Sequence, residues 1–245
     1  MKTTNKTPEK ISLKDFLDNA VNGWQFSLDV AWDQNRRHPE LSRGQCLKER
    51  SFLRQVLGGD QAPVFGKACQ IADTVENKEE MQRLLPEILD AVRGKYPPPT
   101  DSPEYEPGRS FRYELTKQNY CYLHIRNAKR PDSFLKYPDH VAENLRWIMD
   151  LAERESSCDT LYTATWMNSL PAFLLYFPEE WKRNLTDTAD FGPTLGWQGQ
   201  FINREGLLNQ AAAARFLQTG VLPYARRESH CTFAAIREHL KNLGL

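Results

Sequence analysis

No stretch of this 245-residue chain is apolar for long enough to span a bilayer. The longest apolar runs, such as 170–177, fall far short of the roughly 20 residues a spanning helix needs. Cysteine is scarce and scattered: Cys46, Cys69, Cys121, Cys158 and Cys231 form an odd set without a C-x-x-C pair. That spacing argues against a disulfide framework and fits reduced thiols. Net charge is also missing, since 32 Lys and Arg balance 32 Asp and Glu. Residues 1–95 carry 15 basic and 14 acidic groups and the remainder 17 and 18. Neither part has the field of a nucleic-acid or membrane-surface binder. The five histidines show no H-x-H or H-x-x-x-H spacing, so no metal site is expected. The phosphate-loop and dinucleotide glycine patterns are missing, as is the Gly-flanked nucleophile elbow, and the sequence names no cofactor. Met1 to Lys10 is polar and lysine-rich with no apolar stretch behind it, unlike a secretory leader. The expected compartment is the cytoplasm.

What remains is a chain with 40% hydrophobic and 26% charged residues, able to bury a proper core. Residues 1–95 read as helices. Ser12 with Asp15 caps a start, and Leu13, Phe16, Leu17, Ala20, Val21, Trp24, Leu28, Ala31 and Trp32 follow at helical spacing until His38-Pro39. Ser42 with Gln45 opens a second helix running to Gly58-Gly59, Pro63 a third, and Asn77 with Glu80 a fourth, where Pro86 is placed to kink the stripe. The proline-rich segment 96–109 reads as a linker.

From 110 to 245 strands and helices interleave, which predicts an α+β domain: a mixed or antiparallel sheet with flanking helices, preceded by the helical N-terminal region. Phe111, Tyr113 and Leu115 alternate with Arg112 and Glu114. In the next strand Cys121, Leu123 and Ile125 share one face, and Tyr120, Tyr122, His124 and Arg126 the other. A helix is expected over about 138–155, strands over 161–166 and 194–202, and helices over 205–218 and from Thr232 to Leu243. The run 226–231 reads as a polar loop, with Cys231 near a helix N-terminus where its pKa would fall.

Three constellations could carry chemistry. His124 and Arg126 lie two residues apart on one strand, followed by Asn127, Lys129 and Arg130. The imidazole suits an acid/base role and the guanidinium an anion clamp. Thr165-Trp166-Met167-Asn168-Ser169 forms a strand-to-helix turn in which Trp166 and Asn168 could contact substrate, although a helix cap explains Asn168 as well. Ser169 is a nucleophile only if a base reaches it. Gln198 and Gln200 alternate with Trp197, Gly199 and Phe201, so two amides would share a strand face and orient a polar substrate. The Trp and Tyr residues of the second half are numerous enough for a stacking surface; without basic excess, core packing is the expected account.

The runs His124-Ile125-Arg126-Asn127, Thr165-Trp166-Met167-Asn168-Ser169-Leu170-Pro171, Phe177-Pro178-Glu179-Glu180-Trp181, Trp197-Gln198-Gly199-Gln200-Phe201 and Gly220-Val221-Leu222-Pro223-Tyr224 resemble a family of bacterial proteins of uncharacterised activity. The order His124-Ile125, Trp166, Pro171, Phe201 and Leu222-Pro223 is also similar to the GNAT-like C-terminal domain of some bacterial acyltransferases, without the pyrophosphate signature [RQ]-x-x-G-x-[GA]. That likeness implies α+β architecture and acyl or similar group transfer. The expectation is thus an enzyme acting on a small polar or anionic substrate, with His124 catalytic and Arg126, Asn127, Trp166, Asn168, Gln198 and Gln200 binding. The alternative is a non-catalytic module that binds a ligand or a protein partner. Nucleic acid and membrane are not expected partners, and the sequence does not reveal an oligomeric state.

Overall fold

The computed structural model describes residues 11–97, 104–188 and 197–245. The chain divides into two compact units, 1–99 with 191–223 and 100–190 with 224–245.

The first unit is built on α1 (Leu13–Arg37), whose N-cap Ser12 accepts a hydrogen bond from the Asp15 N–H. Asp15 in the first turn and Arg36 and Arg37 in the last match the helix dipole. The expected stripe is buried: Ala20, Trp24, Leu28 and Ala31 join a core with residues of α2 (Arg43–Glu49), α3 (Leu53–Leu57), α4 (Pro63–Ala72) and α5 (Leu85–Arg93). The capping box at Ser42 and Gln45 forms, but the second helix breaks after Glu49. The turn resumes as the short α3 and stops at Gly58, whose left-handed φ of 64° suits glycine. At Pro86 the chain changes helix type instead of kinking: Lys78–Leu84 is a 3-10 helix, and Pro86 falls in the first turn of α5, where its missing N–H costs nothing.

α1 also buries a second side. Phe26 and Val30 lie roughly 200° around the helix from Trp24 and Leu28. They pack with Phe52, Trp197, Phe201, Leu208, Ala213 and Phe216. This second apolar stripe explains why 197–223, including α9 (Gln210–Thr219), belongs to the helical unit and not, as expected, to the α+β domain. The expected strand over 194–202 is also corrected. Its described part forms a 3-10 turn at Gln198–Phe201, and 194–196 lie outside the described residues. Of the expected linker, 98–103 lie outside the described residues. Its described ends are packed: Tyr96 donates to the Ile11 carbonyl, and Tyr105 lies under Arg112 and Arg126.

The second unit is α+β, as expected. Its sheet has five strands in the order β1-β2-β3-β5-β4, with β1 Phe111–Leu115, β2 Cys121–Ile125, β3 Thr160–Thr165, β4 Thr186–Asp187 and β5 Arg227–Thr232. All neighbours are antiparallel except β2 and β3. That parallel pair needs a crossover, which α6 (Pro138–Ser156) supplies. α6 and α10 (Phe233–Asn242) bury Phe111, Cys121, Leu123, Leu161 and Cys231 in one core with Phe173 of α7 (Pro171–Leu174) and Trp181 of α8 (Glu179–Arg183). The segment read as a polar loop is therefore β5, paired with β3 over its whole length. Cys231 points into the core, and burial pushes its thiol up to about 12, opposite to the lowered value expected. All five cysteines are free. No helix among the described residues is long and apolar enough to cross a membrane.

Candidate functional site

Strand alternation sends the polar residues of the second unit's sheet to the face opposite its core. The register sets Arg112 beside His124, Glu114 beside Tyr122, Tyr122 beside Tyr162, and Tyr162 beside His230. His124 is half-buried, with Nε2 3.2 Å from the Glu114 carboxylate but without a properly aligned hydrogen bond. Burial, reinforced by the Arg112 guanidinium, holds the His124 pKa below the ordinary 6.5 against the opposing pull of Glu114. The ring is therefore neutral near pH 7, with one nitrogen able to accept a proton. Arg112 ion-pairs with Glu104 at 3.3 Å, while its Nε is buried without a hydrogen-bond partner.

The other expected site residues have structural work. Arg126 donates to the carbonyls of Arg109 (2.7 Å) and Glu106 (3.2 Å) and covers the Tyr105 ring at 4.8 Å, so it clasps the segment leading into β1 instead of presenting a free fork to an anion. Asn127 closes a turn, donating to the Asp132 carbonyl and accepting from the Lys129 N–H. Trp166 is half-buried and stacks on Tyr224 with centroids 5.7 Å apart. Asn168 is fully buried: its amide donates to the carbonyls of Thr163 and Arg227, and its oxygen accepts from Trp181 Nε1. Full burial leaves it out of reach of a substrate. Ser169 donates to the Ala225 carbonyl, and no base lies in that bond. Gln198 and Gln200 are buried in the first unit, where Gln198 donates to the Ser51 carbonyl at 2.7 Å. They do not share the strand face expected of them, because they lie on a 3-10 turn and not on a strand.

A constellation not foreseen from the sequence joins Ser110, His140 and Asn144. Ser110 Oγ lies 2.8 Å from His140 Nε2, the spacing of a nucleophile and its base. The direction of the bonds decides against that role. Asn144 Oδ1 accepts from the Ser110 N–H at 2.9 Å, so its Nδ2 is the atom facing His140 Nδ1 at 3.3 Å. Nδ1 then accepts, Nε2 carries the proton and donates to Ser110, and the ring cannot deprotonate the hydroxyl. Ser110 is also fully buried. The trio anchors the start of β1 to α6.

Burial, the largest cause for both rings, holds His140 below 6.5 as it does His124. The sign follows from proton counting. Below 6.5 the unfolded chain gains protons that the folded rings refuse, so stability is complete above that value and falls as pH drops through the folded pKa values. Urea melts should therefore give a declining unfolding free energy from about pH 6.5 downward, less steeply in His124→Gln. A flat profile to about pH 5.5 would mean that both rings titrate as in water.

Tyr162 on this face was not foreseen from the sequence, and Glu228 and His230 were expected in a polar loop. The signal was present in β5 as alternation of small buried residues, Ser229 and Cys231, with Glu228 and His230, but serine disguised it as a polar run. Among the described residues no group of three or more His, Cys, Asp and Glu side chains could hold a metal. Compared with known proteins, the chain matches no family model, no curated protein and no solved structure.

Proposed function

We propose that the second unit binds a small molecule on the open face of its sheet, at His124. The observation that carries this reading is the half-buried imidazole of His124, neutral near pH 7, on a sheet face where Arg112, Tyr122 and Tyr162 stand beside it. A neutral imidazole, a guanidinium and aromatic rings gathered on one partly exposed face are the groups that bind a small polar molecule. The chain's balanced charge supports a small polar substrate over a polyanion, and the five free thiols support a cytoplasmic setting.

The neutral ring favours a second, catalytic reading: Nε2 carries the proton toward Glu114, and Nδ1 takes a proton from a nucleophile during acyl or similar group transfer. That reading must do without Asn168, Gln198 and Gln200, whose side chains are buried.

Thermal-shift measurements on wild type and His124→Ala, against acyl-CoAs, nucleotides and carboxylates, test the site. A compound at about 100 times its dissociation constant should stabilise the wild type by about 2.7 kcal/mol and leave the folded variant unmoved. Equal shifts in both proteins, or none in either, would remove His124 from any site. If the catalytic reading holds, turnover of the stabilising compound falls at least about 100-fold in the variant.

A further inference from the structure

The face that carries His124 also carries a run of rings for which the core has no use. Tyr122 meets His124 edge-on at 4.6 Å, Tyr122 and Tyr162 lie 5.3 Å apart, and Tyr162 and Tyr120 6.5 Å apart. Tyr120 stacks on His230 at 5.9 Å with planes 10° apart. The strip crosses β2, β3 and β5, and its members are half-buried or exposed, whereas the aromatic residues Phe111, Phe173, Phe177 and Trp181 are fully buried in the core behind the sheet. Core packing, the expected account of the second half's tyrosines, therefore does not explain these three. Rings kept on the solvent side of a sheet leave π-faces that another flat ring can cover.

A hydrogen-bond acceptor stands beside the strip. Glu228 Oε2 accepts a hydrogen bond from the Tyr162 hydroxyl at 2.6 Å, while among the described residues Oε1 has a long 3.4 Å contact from Thr186 Oγ1. A carboxylate offers about four acceptor positions, so this one retains capacity, and the Tyr162 bond fixes its direction. Of the cations near the strip, Arg112 pairs with Glu104 and Arg226 donates to the Ala164 carbonyl. The surface thus has stacking area and an acceptor, without the basic excess that a phosphate backbone requires.

We propose that this strip is a stacking platform for a single planar heteroaromatic ring bearing an exocyclic amino group, a ring of the nucleobase type, with Glu228 accepting the amino N–H. The inference rests on the reading of the His124 face as a ligand site, and it names the class of ligand. Stacking holds the ring, and the carboxylate selects amino-bearing rings over those that present a carbonyl at the same edge, because two facing acceptors repel.

Amide-resolved NMR titrations of the full chain with cytidine, adenosine, uridine and ribose test it. Cytidine and adenosine should shift resonances of β2, β3 and β5 around Tyr122, Tyr162 and Glu228; uridine should bind about tenfold more weakly, and ribose not at all. Tyr162→Leu should lose about tenfold in cytidine affinity, and Glu228→Gln should erase the preference for cytidine over uridine while keeping the stacking. The second variant preserves shape and remains informative if the first fails to fold. Equal binding of cytidine and uridine by the wild type, shifts mapping elsewhere, or undiminished binding by folded Tyr162→Leu overturns the proposal. If an acyl compound or carboxylate stabilises the protein through His124 while no nucleoside moves the strip, this inference fails and the site reading stands. If no compound moves any resonance of the face, both fail.

Discussion

Asn168→Ala is expected to lower the unfolding free energy of the second unit by about 3 kcal/mol, the largest effect of any polar substitution in that unit. The side chain joins three elements that are distant in sequence: the Thr163 carbonyl of β3, the Arg227 carbonyl of β5 and the indole N–H of Trp181 in α8. Truncation strands the indole donor in a fully buried position and removes a donor from two carbonyls, each at a desolvation cost of about 1–3 kcal/mol when left unmet. The Ser229 hydroxyl, which donates to the Trp181 carbonyl at 2.6 Å, cannot compensate because it serves a different atom. Urea denaturation reads the change. A substrate-orienting asparagine would behave in the opposite way, with near-normal stability and weakened ligand binding, and that pattern would sink the structural assignment.

A comparable effect is expected in the first unit from Phe201→Ala, about 3–5 kcal/mol by large-to-small truncation of a buried ring. Phe201 is fully buried and touches Phe26 at 5.1 Å, Phe52 at 6.5 Å, Phe216 at 5.4 Å and Trp197 at 5.8 Å between centroids. Those rings come from α1, from the residue that opens α3, and from the segment 197–223, so one cavity loosens all three. The same argument predicts that a chain ending at residue 97 does not fold cooperatively, since Phe26 and Val30 would face water. A sharp two-state melt of that shortened chain would contradict the membership of 197–223 in the helical unit.

Which parts were legible beforehand follows from how far each determinant reaches along the chain. The start of α1 at Ser12, the capping box at Ser42 and the facing of Tyr122 and His124 opposite Leu123 all depend on residues within four positions of one another. Helical and strand periodicity express them directly. His124 accordingly stands on the face opposite the core, where alternation along its strand put it. Arg126 and Asn127 lie beside it, but their donors go to nearby carbonyls, and sequence carries no record of which carbonyl will be within reach.

The sequence by itself determined the local grammar of this protein: a long capped helix with an apolar stripe, an amphipathic hairpin, and an α+β order in the second half. Even the fate of Trp197 and Phe201 was partly written there, because their four-residue spacing suits a helical turn, while the intervening glutamines suit a strand equally well. Only the tertiary structure decided between the two, by supplying Phe26 and Phe52 as the surface for those rings to cover. It alone made 227–232 a strand, because an inner strand needs a partner on each side, and β3 and β4 come from 160–165 and 186–187. The proposed binding face has the same origin. Tyr122, Tyr162 and His230 are separated by 40 and 68 residues in the chain, and strand pairing alone brings their rings into one strip.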